Sequence, residues 1–205
     1  MIDRALRRHK EAILDPLARM TPRGVSPSAV TAIAVVPGLG AALAAARGLP
    51  ALAVALWLGN RLLDGLDGTL ARRAGRMTDR GAYADVLLDV VVYAAIPLGI
   101  AAGRDGTAAW TAAAALLATF YVNAISWAYL AALLEKRGAG ARARGEMTAI
   151  TMPPGVVEGA ETVVLFALAL AVPDWSVAVM WIMAAGVAAG VVQRALWAAR
   201  ALERP

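Results

Sequence analysis

Long apolar runs separated by short polar segments dominate the pattern along the chain. Six runs are long enough, or nearly so, to cross a bilayer as a helix, which takes roughly 20 residues. They cover Ala29–Ala46, Pro50–Leu70, Gly81–Ala101, Ala108–Leu134, Val156–Val172 and Trp175–Ala198. The pattern therefore predicts an all-α integral membrane protein with six transmembrane helices.

The first 24 residues follow a different pattern. Apolar side chains recur there at roughly helical spacing among basic ones, at Ile2, Leu6, Ile13, Leu17 and Met20. A basic amphipathic helix suits an anionic membrane surface, and a solvated basic tail is the alternative. We therefore divide the chain into an N-terminal amphipathic juxtamembrane segment, residues 1–24, and a six-helix membrane domain, residues 25–205.

Composition supports the membrane prediction and restricts the chemistry. The chain is 60% hydrophobic and 17% charged, against about 45–50% and 25% in soluble domains. It has no cysteine and one histidine, His9, which excludes disulfides, thiolate sites and histidine-rich zinc sites. A bound metal would need oxygen ligands, which favours Mg²⁺, Mn²⁺ or Ca²⁺.

Positive charge alternates from one inter-run segment to the next. Basic residues gather in the N-terminal arm, after the second and fourth runs and at the C-terminus, whereas the loops "ARGLP", "GRDGT" and "PDW" carry few charges. The positive-inside rule then predicts that both termini and the loop after the second run are cytoplasmic. Interfacial anchors are expected at Trp57, Trp175, Trp181 and Trp197.

Aspartates are concentrated where the second run ends and the third begins. Asp64 and Asp67 are three residues apart, and Asp85 and Asp89 are four apart, so each pair shares a helical face. A short connection makes the two helices antiparallel neighbours, and the four carboxylates can converge. Protonation or divalent cations would relieve their repulsion. The alternative is a salt-bridge network with Arg72, Arg73, Arg76 and Arg80.

Small residues accompany these acids. Gly65 and Gly68 lie inside the helical stretch, where a glycine costs about 1 kcal/mol relative to alanine. Glycine beside a carboxylate lets a substrate approach the backbone closely, and Ala71 and Gly81 keep the neighbouring faces small. For any single glycine, close helix packing is the alternative explanation.

The spacing D-x2-D-G-x2-A-R-x8-G-x3-D-x3-D, from Asp64 to Asp89, resembles the signature of the CDP-alcohol phosphatidyltransferases at all eight positions. Within that family, "NRLLDGLDGTLARR" and "GVVEGAETVVLF" resemble a small bacterial branch. The resemblance implies transfer of a phosphatidyl, or related phosphoryl-alcohol, group in phospholipid biosynthesis. The donor would be a CDP-linked lipid such as CDP-diacylglycerol, the acceptor an alcohol, and the released product CMP.

The resemblance also implies roles for individual positions. Metal ions, two of Mg²⁺ or Mn²⁺, would bind Asp64, Asp67, Asp85 and Asp89. Asp89 would in addition be the base that deprotonates the acceptor hydroxyl. The nucleotide and its phosphates would contact Gly68, Ala71, Arg72, Thr78, Gly81 and Thr31, the last of which lies in "SPSAVT".

A second acidic pair, Glu158 and Glu161, lies near the start of the fifth run. These carboxylates either line the acceptor pocket or lie at the interface in the first helical turn, where the helix dipole favours acids. In the second case Arg142 or Arg144 would be their partner.

The expected setting is the bacterial inner membrane, with the active site on its cytoplasmic side. Expected partners are the bilayer, the CDP-linked donor, an alcohol acceptor that the sequence does not identify and a second copy of the chain, with no nucleic acid. One alternative function is a divalent-cation transporter, which would spread acids through the membrane depth. Another is a catalytically silent subunit that keeps the fold.

Overall fold

The computed structural model describes residues 14–21, 26–75, 77–141, 143, 155–157 and 159–203, and within these ranges all regular structure is helical. The helices are α1 (residues 14–20), α2 (Pro27–Ala46), α3 (Pro50–Arg73), α4 (Asp79–Ala102), α5 (Thr107–Lys136), α6 (Gly159–Ala171) and α7 (Ser176–Leu202). A short 3₁₀ turn, Pro173–Trp175, joins α6 to α7. The all-α prediction is confirmed for this part of the chain.

Local turn chemistry sets the ends of the helices that carry the site. Gly48 adopts φ +67° between α2 and α3, a conformation that glycine reaches without steric cost, and Pro50 then occupies the first turn of α3. Thr78 is the N-cap of α4, and its side-chain oxygen accepts a hydrogen bond from the Gly81 backbone N–H at 3.1 Å. This cap places the start of α4 two residues before the predicted start.

Four segments are long and apolar enough to cross a membrane: Pro27–Ala46, Asp79–Ala102, Thr107–Lys136 and Pro173–Leu202. Helix α3 has 24 residues, about 36 Å, but Arg61, Asp64 and Asp67 make it more polar than these four. Helix α6 has 13 residues, about 20 Å. The chain is therefore a multi-pass membrane protein, and the count of six spans stays a prediction.

The predicted start of the fifth run is wrong by three residues. Val156 and Val157 are not helical, and α6 begins at Gly159. They lie against α7 instead, where the Val157 side chain fills the space beside Gly186 and the Val156 backbone nitrogen passes close to Gly190. Packing against α7 therefore prevails over the apolar run as a helix-forming signal.

The helices pack around one apolar core. Helix α2 packs along α3 and α4, α5 pairs with α7, and α6 contacts α3 and α7. At the crossing of α2 and α4, any side chain on Gly99 would collide with the Ala42 carbonyl group, which is close small-residue packing of the kind found in membranes. The largest fully buried side chains include Trp57, Phe166 and Met180, so the prediction of Trp57 as an interfacial anchor is wrong.

Helix α1 packs against the end of α3 that carries the aspartates. Leu14 and Ala18 are buried together with Leu66, and Arg73 Nη1 donates to the Asp15 carbonyl oxygen at 3.1 Å. The exposed apolar side chains of α1 include Met20. Because Ile2, Leu6 and Ile13 lie outside the described residues, a surface helix over 1–24 stays a prediction.

Candidate active site

Helices α3 and α4 bring the four motif aspartates to one end of the bundle, and α2 packs against both helices. Asp64 and Asp67 lie on α3, and Asp85 and Asp89 lie on α4. All four are within about three helical turns of the loop that joins these helices. Thr31 reaches the same place from α2, where it interacts with Asp67.

Asp67 is the most deeply buried of these acids, with 5% of its surface exposed. The Thr31 hydroxyl that lies beside it also donates to the Pro27 carbonyl oxygen at 3.1 Å. Asp67 Oδ2 is buried and accepts no hydrogen bond from the described residues. Leaving a buried carboxylate oxygen without a donor is costly, and a hard divalent cation is a partner that such an oxygen suits.

The carboxylates are close together without forming a closed set of ligands. Asp64 and Asp89 both lie near enough to Asp67 to interact with it electrostatically. Asp85 is half-buried one turn before Asp89. Even so, no three acidic or histidine side chains in the described ranges are grouped as a ready-made metal site. The residues therefore fit a divalent cation by chemical type, and their assignment as ligands stays a prediction.

An arginine that the sequence reasoning missed lies among the aspartates. Arg61 Nη2 donates to Asp89 Oδ1 at 2.7 Å, and Arg61 Nη1 lies 3.5 Å from Asp89 Oδ2. The same guanidinium is 3.7 Å from Asp64 Oδ2, and its side chain is 9% exposed. A salt bridge to the motif aspartates is therefore present, but its cation is Arg61, which the salt-bridge alternative did not include. Arg76, one of the arginines that this alternative named, lies outside the described residues.

Neutral and aromatic groups complete the surroundings of Arg61. Its Nε donates to Asn60 Oδ1 at 2.8 Å and its Nη1 to Tyr93 Oη at 3.0 Å. The ζ carbon lies 4.8 Å from the Trp57 ring centroid and 5.0 Å from that of Tyr93, within cation–π range. A charged residue inside an apolar run is itself a functional signal, and that signal could have identified Arg61.

Most predicted substrate-contacting residues lie at the ends of α3 and α4 that adjoin their connecting loop. A Cβ atom on Gly68 would come within 4 Å only of Arg72 Nη1, at 3.4 Å, so packing within the described residues does not require glycine there. Arg72 is exposed and donates to Thr69 Oγ1 at 3.2 Å. Gly81 and Thr78 form the exposed first turn of α4. Ala71, which directly precedes Arg72 on α3, is half-buried.

The second acidic pair is described only in part. Glu161 is half-buried in the first turn of α6, whereas Glu158, Arg142 and Arg144 lie outside the described residues. Its role as an acceptor-pocket residue stays a prediction.

A buried arginine that the sequence reasoning also missed lies on α7. Arg194 Nη1 donates to Asn123 Oδ1 at 2.8 Å and to Ser126 Oγ at 2.7 Å. These bonds tie α7 to α5, and they assign to Asn123 and Ser126 the interhelical hydrogen bonding that polar residues in membrane helices often provide.

Four aspartates at one end of a bundle of apolar helices mark a candidate site in a membrane protein, and known proteins identify the class of that protein. A family model described as CDP-alcohol phosphatidyltransferase matches residues 25–192. The inner membrane protein YnjF of Escherichia coli (strain K12) is 34% identical over 177 residues, which cover 85% of this chain and 84% of YnjF. The chain belongs to the CDP-alcohol phosphatidyltransferase family.

Solved structures share the fold. The phosphatidylinositol phosphate synthase PgsA1 of Mycobacterium tuberculosis with CDP-DAG bound aligns with a TM-score of 0.68 at 22% identity, over 93% of this chain and 94% of that chain. The same synthase in complex with manganese and citrate aligns with a TM-score of 0.68 at 23% identity, over 92% and 88%. The solved structures show the fold, whereas the family match over residues 25–192 supports the transferase prediction and gives the cation-transporter alternative no support.

Proposed function

We propose that this protein transfers a phosphatidyl, or related phosphoryl-alcohol, group from a CDP-linked lipid to an alcohol, with release of CMP. Membership of the CDP-alcohol phosphatidyltransferase family supports the reaction. The CDP-DAG complex of the similarly folded synthase PgsA1 supports CDP-diacylglycerol as the donor. The reaction belongs to phospholipid biosynthesis.

The observation that carries the proposal is the buried Asp67 carboxylate, whose Oδ2 accepts no hydrogen bond from the described residues, next to the open backbone at Gly68. The residues that would hold divalent ions are Asp64, Asp67, Asp85 and Asp89, and either Mg²⁺ or Mn²⁺ suits such oxygen ligands. When bound, these ions supply neutralisation of the donor pyrophosphate and of the charge that develops on departing CMP. The manganese complex of PgsA1 supports an ion of this kind, and we propose two.

Donor binding falls to the residues around Gly68. Among the described residues, only the flexible end of Arg72 lies near the position of a Gly68 Cβ atom. A phosphate can therefore approach the α3 backbone there and meet the Arg72 guanidinium, which is suited to phosphate. Ala71, Thr78 and Gly81 would line the same space. The contact of Thr31 with Asp67 supports a position for "SPSAVT" at the nucleotide.

Asp89 is the proposed base for the acceptor hydroxyl, a contribution that is typically about 10²–10⁴-fold. The acceptor pocket would include Glu158 and Glu161, and Glu161 lies in the first turn of α6. We further propose six membrane spans, cytoplasmic termini and a cytoplasmic active site, from the distribution of basic residues. We propose the division between residues 24 and 25 from the change in hydrophobic pattern there. We propose a homodimer because the family resemblance implies one.

The test is CMP release by purified protein supplied with CDP-diacylglycerol, Mg²⁺ or Mn²⁺, and a panel of alcohols. The panel includes glycerol phosphate, inositol phosphate, serine and phosphatidylglycerol. We expect release with one of them, and a fall of at least about 10²-fold in Asp89→Asn. Asp174→Asn is the matched control, because Asp174 lies in the 3₁₀ turn away from the cluster. No CMP with any acceptor would contradict the proposal, and full turnover in Asp89→Asn would remove its role as base.

A further inference from the structure

Arg61 has several polar partners near the site, and it is not one of the eight motif positions. Its guanidinium is already a buried cation paired with Asp89, at 2.7 Å between Nη2 and Oδ1. It also lies 3.7 Å from Asp64 Oδ2. Two of the four motif carboxylates are therefore partly neutralised by the chain itself.

We infer that Arg61 is a resident counter-ion of Asp89, and that a divalent cation has to take Asp89 away from Arg61 in order to bind it. The inference rests on the proposed function only in treating a divalent ion as the ligand of the aspartates. It assigns Arg61 a positioning role, since the guanidinium acts through Asp89.

The hydrogen-bond geometry makes the two cations competitors. The two terminal nitrogens of Arg61 donate to both oxygens of Asp89, at 2.7 Å and 3.5 Å. A carboxylate held by this guanidinium fork has fewer lone pairs for another cation. A dication near Asp89 would also be repelled by the guanidinium. Burial strengthens this repulsion, because interactions between charges are screened less in the protein interior than in water.

The surroundings of Arg61 give it a place to remain after it releases Asp89. Asn60 Oδ1 and Tyr93 Oη accept from its Nε and Nη1 at 2.8 Å and 3.0 Å. The rings of Trp57 and Tyr93 lie on the guanidinium at cation–π distances. None of these contacts involves Asp89, so a released Arg61 keeps three kinds of partner, and these lower the cost of a buried charge that has lost its counter-ion.

The test compares Mn²⁺ binding to purified wild type and Arg61→Met, by titration calorimetry and by the rise in Tm that Mn²⁺ produces. Without the competing charge, Arg61→Met should bind Mn²⁺ at least about tenfold more tightly. Its Mn²⁺-induced rise in Tm should be larger by linkage. Arg73→Met is the matched control, because it removes the same charge from an exposed position on α3 that bonds to the Asp15 carbonyl. Its Mn²⁺ affinity should stay within about twofold, since exposed charges are screened.

Arg61→Lys keeps the charge without the fork, and it keeps the inference testable if Arg61→Met does not fold. The Mn²⁺ affinity of Arg61→Lys should lie between the affinity of wild type and the affinity expected for Arg61→Met. Equal or weaker Mn²⁺ binding in a folded variant would overturn the inference and leave phosphatidyl transfer untouched. Equal losses of Tm with and without Mn²⁺ would show a purely structural Arg61 and would overturn it as well. Absence of Mn²⁺ binding in every variant, wild type included, would overturn both the inference and the metal part of the proposed function.

Discussion

Replacing Gly68 with alanine tests whether the space beside the aspartates is kept for a ligand. Gly68 lies in the interior of α3, where glycine costs about 1 kcal/mol relative to alanine. Among the described residues outside its own stretch of helix, the added methyl group would meet only Arg72 Nη1, at 3.4 Å, which is an ordinary contact with the end of a flexible side chain. Folding therefore gives no reason for glycine, and Gly68→Ala should stabilise the protein while it obstructs the donor.

Two other glycines give matched controls. A Cβ atom on Gly59, also in α3, would meet no heavy atom of another described residue within 4 Å beyond its own stretch of helix, so Gly59→Ala should gain the same helix propensity without touching the site. A Cβ atom on Gly99 would collide with the Ala42 carbonyl group. Since α2 and α4 would have to move apart, Gly99→Ala should lose about 1–3 kcal/mol.

The assay pairs Tm of the purified variants with kcat/KM for CDP-diacylglycerol, measured by CMP release. A gain of about 1 kcal/mol corresponds to a rise of about 2–4 °C in a protein of this size, and we expect it for Gly68→Ala and Gly59→Ala. Only Gly68→Ala should lose kcat/KM, by at least about tenfold, because a 1 Å misplacement at a reacting centre already costs about 10²-fold.

Two results would refute this reasoning. Full kcat/KM in Gly68→Ala would show that the donor does not use the space. A fall in Tm similar to that of Gly99→Ala would show that Gly68 is required for packing instead.

Two further substitutions test the cluster and its support. Asp67→Asn removes a buried charge that lies near Asp64 and Asp89, so Tm in chelator should not fall. The Mn²⁺ affinity measured by calorimetry should weaken by at least about tenfold. A lower Tm in chelator would contradict this expectation. Asn60→Leu removes the 2.7 Å hydrogen bond to the Ala34 carbonyl oxygen and an acceptor of Arg61. The free energy of unfolding should therefore fall by about 1–3 kcal/mol. A Tm equal to that of wild type would contradict this expectation.

Most helix positions could be predicted from the apolar runs, because each run ends at glycine, proline or charge. Helix α5, for example, extends the predicted Ala108–Leu134 by three residues in total. The start of α6 could not be predicted in this way. Val156 and Val157 leave the helix for the glycine-lined face of α7, and that face comes from residues about 30 positions later in the chain. Local apolar content carries no information on such a long-range contact.

The positions of the four motif aspartates at one end of α3 and α4 could be predicted because their spacing is fixed along two helices. Their roles as ligands and as base stay predictions. The partner of Asp89 could not be predicted, because the Arg61–Asp89 pair depends on the register of α3 against α4, and residues 28 apart in sequence form it. The prediction of Trp57 as an interfacial anchor was wrong for a related reason. A tryptophan in an apolar run is often an interfacial anchor, but here its Nε1 donates to the Val163 carbonyl at 3.0 Å inside the core.

Polar side chains on α3 divide into two kinds, and the division explains how the site keeps its shape. Trp57 bonds to α6, Asn60 to α2, and Arg61, through the Tyr93 hydroxyl, to α4. Two adjacent turns of α3 therefore fix three neighbours. Asp67, two turns further on, keeps one buried oxygen that accepts no hydrogen bond from the described residues. Because a satisfied polar group in an apolar bundle stabilises the fold and an unsatisfied one costs free energy, the first kind holds the bundle together. We propose that the second kind is retained for a ligand.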